Sequence, residues 1–550
     1  MKKIIVIVFA FLFVFSCAKK SVKESTLVNQ ETPFVWEGAN LYFLLTDRFN
    51  NSDTLNDVNF NRTKETGKLR GFEGGDIKGI TQKIEEGYFK DLGINAIWMT
   101  PLVEQIHDAT DEGTGTTYGY HGYWAKDWTT LDPNFGTPNE LKELIGKAHA
   151  NDIRIVFDAV INHTGPATNT DPAWNDDWVR TSPKCTFVDF EMNTSCMLVE
   201  NLPDIRTDSN ENVPLPIQLV EKWKKEGRYE QEIKELDLFF ERTEYPRAPR
   251  FYIMKWLTDY ITEYGIDGYR VDTVKHTEET IWAEFKIECD YAFSQWKENN
   301  PTKVLDQNDF YMFGEAYNYN ISQARAFDFG DKKVNYFDFG FDAMINFEFE
   351  TNARGSYESL FSSYSSIIKN NIKGNTVVNY ATSHDDDTPF DMSRAKPIET
   401  ANKLLLCPGI SQVYYGDESA RTLLIDDTDG DATLRSFMNW DAIENDAKTK
   451  EIFTHWQKLG RFRANHPSVG AGTHQMISQK PYVFYRSFSK DDYKDLVVVG
   501  LDLSKGIKTL DVSKIFKDGD VLHDVYSNQD LEVINGKVSV NSEFNIVLLE

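Results

Sequence analysis

From Leu41 onward, short apolar runs suited to buried strands alternate with stretches where apolar residues recur every three or four positions. The strand-like runs are LYFLLTD, INAIWMTP, IRIVFDAVINH, IDGYRVD, FYMFGE, VVNYATSHD and SQVYYGDE, with a weaker one near Phe339 to Asp342. ELKELIGKAHAND and FYIMKWLTDYITEYG carry helical spacing and finish at turn residues. This alternation predicts an α/β fold, a parallel (β/α)8 barrel over residues 36–162 and 208–464. Two stretches break the rhythm. Residues 163–207 lack sustained periodicity and are rich in Asn, Asp, Thr and Pro, which predicts an irregular domain inserted after the third strand. Residues 211–250 are heavily charged, and LVEKWKKEGRYEQEIKELDLFF reads as one or two solvated helices at the surface. Over 465–550 the pattern becomes short alternating strands, predicting a C-terminal antiparallel β-sandwich domain.

Three of the strand-like runs stop at an acid: GYRVDTVKH at Asp272, FYMFGEAYN at Glu315 and VVNYATSHDDD at Asp385. Carboxylates at the C-terminal ends of different barrel strands can converge on one pocket. That arrangement suits glycosidic bond cleavage, where one acid attacks the sugar and another protonates the leaving oxygen. Arg270, two residues before Asp272 and so on the same strand face, can hold that carboxylate ionised. Taken singly, each acid could equally be a salt-bridge partner or a helix cap.

Further strings accompany the acids in order: YHGYW (Tyr120 to Trp124), DAVINH (Asp158 to His163), LPD (Leu202 to Asp204), GEAY (Gly314 to Tyr317) and SHD (Ser383 to Asp385). In this combination the chain resembles the α-amylase superfamily of glycoside hydrolases, of the exported bacterial α-amylase type, from about Leu41 to the C-terminus. The resemblance implies a (β/α)8 barrel with an inserted domain and a C-terminal β sandwich. It also implies roles: Asp272 as nucleophile, Glu315 as acid and then base, and Asp385 as stabiliser of the distorted sugar. His163 and His384 would bind hydroxyls at the cleavage point, Tyr123 would stack on that sugar, and His121 and Trp124 would line the donor side. Lys275 and His276 match the pair that contacts acceptor sugars, while Asp431 and Arg435 would hold more distant donor sugars. Ca²⁺ is implied at Asn162, Asp204 and the carbonyl of His276, and a second Ca²⁺ at Asn51, Asp53, Asn56, Asp57, the carbonyl of Gly74, and Asp76. Ser383 stands where the family usually has Asn, a departure that bears on donor-side preference.

The implied activity is a retaining, endo-acting α-amylase cleaving α-1,4-glucosidic bonds of starch, glycogen or maltodextrins. One rival is an α-glucan transglycosylase of the cyclodextrin glucanotransferase kind. Another is a non-catalytic glucan-binding lipoprotein, which the intact set of acids argues against. Composition narrows the partners. Among 550 residues, 59 are basic and 86 acidic, a formal charge of −27 that repels phosphate backbones and leaves a neutral glucan unaffected. The N-terminus adds an address. MKK followed by the apolar run Ile4 to Phe15 reads as a signal peptide (1–16). Its end, Val14-Phe15-Ser16-Cys17, resembles a bacterial lipobox, so Cys17 is expected to carry lipid. Residues 17–35 would then tether the domain to the cell envelope, on the outer membrane facing the periplasm. Simple secretion, with Cys17 in a discarded peptide, is the other reading. Export favours disulfides; Cys185 and Cys196 are expected to pair, and Cys289 and Cys407 to be buried thiols.

Overall fold

The computed structural model describes residues 32–386 and 388–550. The expected signal peptide, Cys17 and most of the tether lie outside them. The tether's last residues do not behave as one. Phe34 packs edge-on against Trp36 with centroids 5.0 Å apart, the Arg154 guanidinium sits 3.8 Å above it, and Val35 is buried. An aromatic with a cation over its face anchors the chain to the barrel floor before residue 36.

Eight strands form a closed barrel: β1 (Asn40–Leu44), β2 (Ala96–Met99), β3 (Arg154–Ala159), β4 (Gly268–Val271), β5 (Tyr311–Gly314), β6 (Ala343–Asn346), β7 (Thr376–Tyr380) and β8 (Ile410–Tyr414). Neighbours pair in parallel in chain order, and β8 closes on β1. Helices cover the outside and side chains fill the inside, so every residue of β1, β3 and β8 is buried. This is why the strands read as continuous apolar runs. The sixth strand differs from expectation: it begins at Ala343, after the weak run near Phe339. Tyr336–Phe339 is instead a 3-10 turn, ended by Gly340 at φ 99°, and the Asp342 amide then enters the ladder through Met312 O.

The period-two rule decides what the barrel offers its interior. On β4, Tyr269 points outward and donates its hydroxyl to Leu257 O on the helix Pro249–Tyr264. Arg270 points inward, in register with Asp158 on β3. Beyond the strand ends the ladder continues, with Asp272 N–H donating to Ala159 O and Glu315 N–H to Val271 O. The backbones of both acids are thereby fixed.

After β3 the chain runs irregularly through residues 163–207, with a two-stranded ribbon (Val179–Arg180 with Asp204–Ile205) and a disulfide joining Cys185 to Cys196. The charged stretch that follows is two helices, Ile217–Glu226 and Tyr229–Thr243. They are less solvated than their charge implies. Leu219, Trp223, Leu236, Phe239 and Phe240 recur at helical spacing and are buried. Lys222 and Arg228 also pair with Asp127, which is fully buried. Past the barrel, six antiparallel strands between Thr473 and Leu549 form one sheet, and Gly506–Asp511 with Lys537–Ser542 a second. Val498, Leu510, Val538, Val540 and Leu549 fill the core between them. His466 joins this domain to the barrel, bonding Asp495 and Glu550, each at 2.8 Å.

Candidate active site

Arg270 organises the site. Its Nη1 lies 2.6 Å from Asp272 Oδ1 and 2.9 Å from Asp158 Oδ1, and its Nη2 lies 3.7 Å from Glu315 Oε2. Asp158 also accepts from Trp98 Nε1 at 3.1 Å and Tyr123 OH at 2.9 Å. Burial pushes its carboxyl up to about 7 against the pull of Arg270. Trp98 is held in turn by stacking on Phe43, with centroids 3.6 Å apart. Glu315 accepts one backbone bond, from Thr273 N–H at 2.8 Å. Burial drives its carboxyl up to about 8; Asp272 and Asp385 add to this, and Arg270 opposes it. Glu315 therefore keeps a proton near neutral pH, as a general acid must.

Asp385 follows β7 by five residues and projects into the open cleft, its side chain 47% exposed. It accepts from Ser383 Oγ at 2.7 Å. Desolvation by the cleft walls raises its carboxyl, but His384, Ser383 and the Arg270 and Arg435 charges outweigh that and hold it below the usual range. Burial lowers the imidazoles of His121, His163 and His384, the last to about 4. They are neutral rings at neutral pH, able to bond sugar hydroxyls without adding charge.

Two joined hollows divide these residues. Asp272, Glu315, Asp385, Lys275 and His276 line one of about 430 Å³, walled by Phe187, Leu198 and Tyr317. His121, Tyr123, Trp124, His163, His384, Asp431 and Arg435 line the other, of about 220 Å³, which shares Asp272, Asp385 and Leu198 with the first. A third, of about 670 Å³, carries the groove onward past Arg70, Glu112 and Asp431. Arg435 reaches Asp431 at 2.5 Å and donates from Nε to His384 O at 2.9 Å, tying the outer groove to the segment bearing Asp385. Arg270 lies beneath and walls neither inner hollow.

Several participants were not singled out from the sequence. Asp158 opens the quoted DAVINH string, an acid inside a buried apolar run, which was the available signal; the structure sets it in register with Arg270. Phe187 and Leu198 come from the irregular insert, where no periodicity marks a position. Arg70, which reaches Asp431 at 3.2 Å, lies in a loop far from any motif.

The residues implied for calcium fall into two groups, and of them only His276 also lines a hollow. His163 and Asp204 form an antiparallel bridge, and next to it Ile205 N–H donates to Asn162 O at 2.8 Å. Asn162 Oδ1 and Asp204 Oδ2 are both buried without a hydrogen bond, although Arg180 Nη1 comes within 3.2 Å of the latter. Burial raises the Asp204 carboxyl well above its usual range. His276 Nδ1 bonds Asn193 O at 3.0 Å, bringing the disulfide-closed loop alongside. In the N-terminal loop, Asn51 Nδ2 donates to Asp57 Oδ1 at 2.9 Å, and a Cβ on Gly74 would lie 2.2 Å from Asn51 and 2.6 Å from Asp57. Asn56 Oδ1 is buried without a partner. Asp76 accepts from Ser52, Asp53 and Gly79 N–H groups, and Asp53 pairs with Lys78 at 3.3 Å. Among the described residues, no three His, Cys, Asp or Glu side chains converge as a metal site by themselves.

A closed parallel barrel whose strand ends deliver three carboxylates, one of them protonated, to a groove lined with aromatic rings defines a glycoside hydrolase. Comparison with known proteins narrows the class. A family model described as the alpha-amylase catalytic domain matches residues 43–472, and the chain belongs to that family. It is 33% identical over 534 residues to the periplasmic alpha-amylase of Escherichia coli (strain K12), covering 86% of this chain and 74% of that one. It is 26% identical over 521 residues to a cyclomaltodextrin glucanotransferase of Thermoanaerobacterium thermosulfurigenes, covering 92% of this chain and 65% of that enzyme. The solved alpha-amylase of Geobacillus thermoleovorans, complexed with acarbose, shares the fold. Its TM-score is 0.65 at 22% identity, over 94% of this chain and 99% of that one.

Proposed function

We propose that the protein is an endo-acting, retaining α-amylase that hydrolyses α-1,4-glucosidic bonds through a covalent glycosyl-enzyme. Asp272 attacks the anomeric carbon while Glu315 gives its proton to the leaving oxygen. Glu315, now ionised, takes a proton from the water that releases the sugar, and so regains its starting state. Asp385 supports the positive ring that forms between these steps, with His163 and His384 on its hydroxyls and Tyr123 against its face. Lys275 and His276 take the acceptor side; Asp431 and Arg435 the outer donor side. The observation that carries this reading is that one guanidinium, Arg270, contacts both Asp272 and Glu315 beside a hollow they share with Asp385. Asp272→Asn should lower kcat on maltoheptaose by at least ~10⁴-fold while leaving oligosaccharide binding intact, and wild-type products should emerge as α-anomers. Normal turnover in that variant, or β-anomers, would refute the assignment.

The apolar acceptor wall of Phe187, Leu198 and Tyr317 favours a second reading, in which a sugar rather than water intercepts the intermediate. Dominant cyclic or elongated products from soluble starch would overturn hydrolysis.

Calcium fits the residues present. The orphaned oxygens of Asn162 and Asp204 and the backbone of His276 would hold one ion, pinning residues 163–207 to the barrel. The cradle of Asn51, Asn56, Asp57 and Gly74, with Asp53 and Asp76 at its edge, would hold a second. Either ion would supply hard positive charge to oxygen ligands and no chemistry at the sugar. Export is supported by the periplasmic relative. We extend it to lipid anchoring at Cys17 on the outer membrane, facing the periplasm, on the strength of the lipobox-like Val14-Phe15-Ser16-Cys17.

A further inference from the structure

A second pair of acids touches beside the catalytic segment. Glu350 lies on the short helix Phe349–Asn352 after β6 and is 2% exposed. Its carboxyl is in hydrogen-bond contact with that of Asp386, the residue directly after Asp385. Asp386 is well supplied with donors: Tyr380 OH, at the end of β7, reaches Oδ2 at 2.7 Å, and Thr388 N–H reaches Oδ1 at 3.0 Å. Glu350 is not. Thr388 Oγ lies 3.2 Å from Glu350 Oε2 and 3.0 Å from Asp386 Oδ1, and its single proton serves one of them at a time. Glu350 Oε1 is buried with no donor at all. Two touching carboxylates in such a place do not both ionise. One proton placed on Glu350 turns the contact into a bond donated to Asp386.

We propose that Glu350 is a positioning residue: protonated, it hydrogen-bonds Asp386 and so fixes the segment 383–386 that presents Asp385 to the sugar. The inference rests on the reading of Asp385 given above. The groups facing the pair are Asp385 and Tyr380 from the β7 side and Arg354, whose charge works against the proton. Burial first, and Asp386 second, push the Glu350 carboxyl up to about 10, so the bond persists wherever Glu315 still holds its own proton. Its contribution is geometric. Asp385 accepts from Ser383 in the same segment, and Arg435 holds the carbonyl of His384, so Glu350 supplies the anchor on the far side.

The test is kcat and KM for α-maltotriosyl fluoride from about pH 6 to about pH 10, with thermal melting alongside, for wild type, E350Q, E350A and D385N. Fluoride leaves without a proton from Glu315, so an alkaline fall reports on the pair. E350A should lose ~10–100-fold in kcat with KM within about twofold, the cost of a misplaced group. E350Q donates from an amide that does not titrate, so it should recover about half of kcat or more and abolish the wild-type fall that sets in as pH approaches about 10. An E350A kcat within about twofold of wild type, with D385N inactive, overturns the inference alone. Full activity in D385N overturns the reading of Asp385 beneath it. Should E350A fail to fold, a wild-type alkaline fall in E350Q still refutes the role of Glu350.

Discussion

Glu315 shows how position sets chemistry at the level of one side chain. A glutamate in water loses its proton near pH 4.3; buried beneath a groove and facing Asp272 and Asp385, this one is pushed to about 8. Hydrolysis of maltoheptaose should therefore hold its rate through neutral pH and fall as pH rises through about 8, where the acid form is lost. Replacing Asp385 with Asn removes one of the charges that raise Glu315, so the alkaline limb of the residual activity should move to lower pH. A kcat/KM profile of both proteins checks this, and a limb that stays put or moves upward would contradict the proposed charge coupling. The same residue was legible in the sequence for a physical reason: an acid that ends a buried apolar strand has nowhere to go except the mouth of the barrel.

At the scale of elements, seven of the eight strands were readable because burial on both faces writes an unbroken apolar run. The sixth was displaced because a turn of aromatic residues, Tyr336–Phe339, mimics a strand in composition and is betrayed only by Gly340. The helical insert was misjudged in its exposure, since the charges on its outer face outnumber the five apolar residues that seat it. Residues 163–207 gave no pattern at all, yet they supply Phe187 and Leu198 to the cleft and Asp204, which bridges back to His163 at the end of the β3 segment. A segment with so little regular structure needs fastening. Chelation should lower the melting temperature by several degrees, because an ion bound only to the folded state stabilises it. In Asp204→Asn the expected companion effect is a loss of kcat/KM on maltoheptaose already at temperatures well below the melting transition, since the cleft wall loosens first. Unchanged melting in a strong chelator, with no metal by elemental analysis, would dismiss both ions.

For the whole molecule, charge and anchorage are complementary. A formal charge of −27 sets the surface as a whole against anionic lipid. Among the described residues, no helix is long and apolar enough to cross one. The covalent lipid proposed at Cys17 would attach the domain to a membrane. Wild type should sediment with membranes and Cys17→Ser should stay in the soluble fraction with full specific activity. Equal partitioning of the two proteins would dismiss the anchor.

Arg270 leaves one further consequence. Three acids, Asp158, Asp272 and Glu315, gather around a single fixed cation. Simple counting then leaves the cluster two negative charges in excess if every acid ionises, in a place where water cannot disperse them. The resting enzyme is thus obliged to store a hydrogen ion before any sugar arrives, and in the proposed mechanism the first bond broken draws on that reserve.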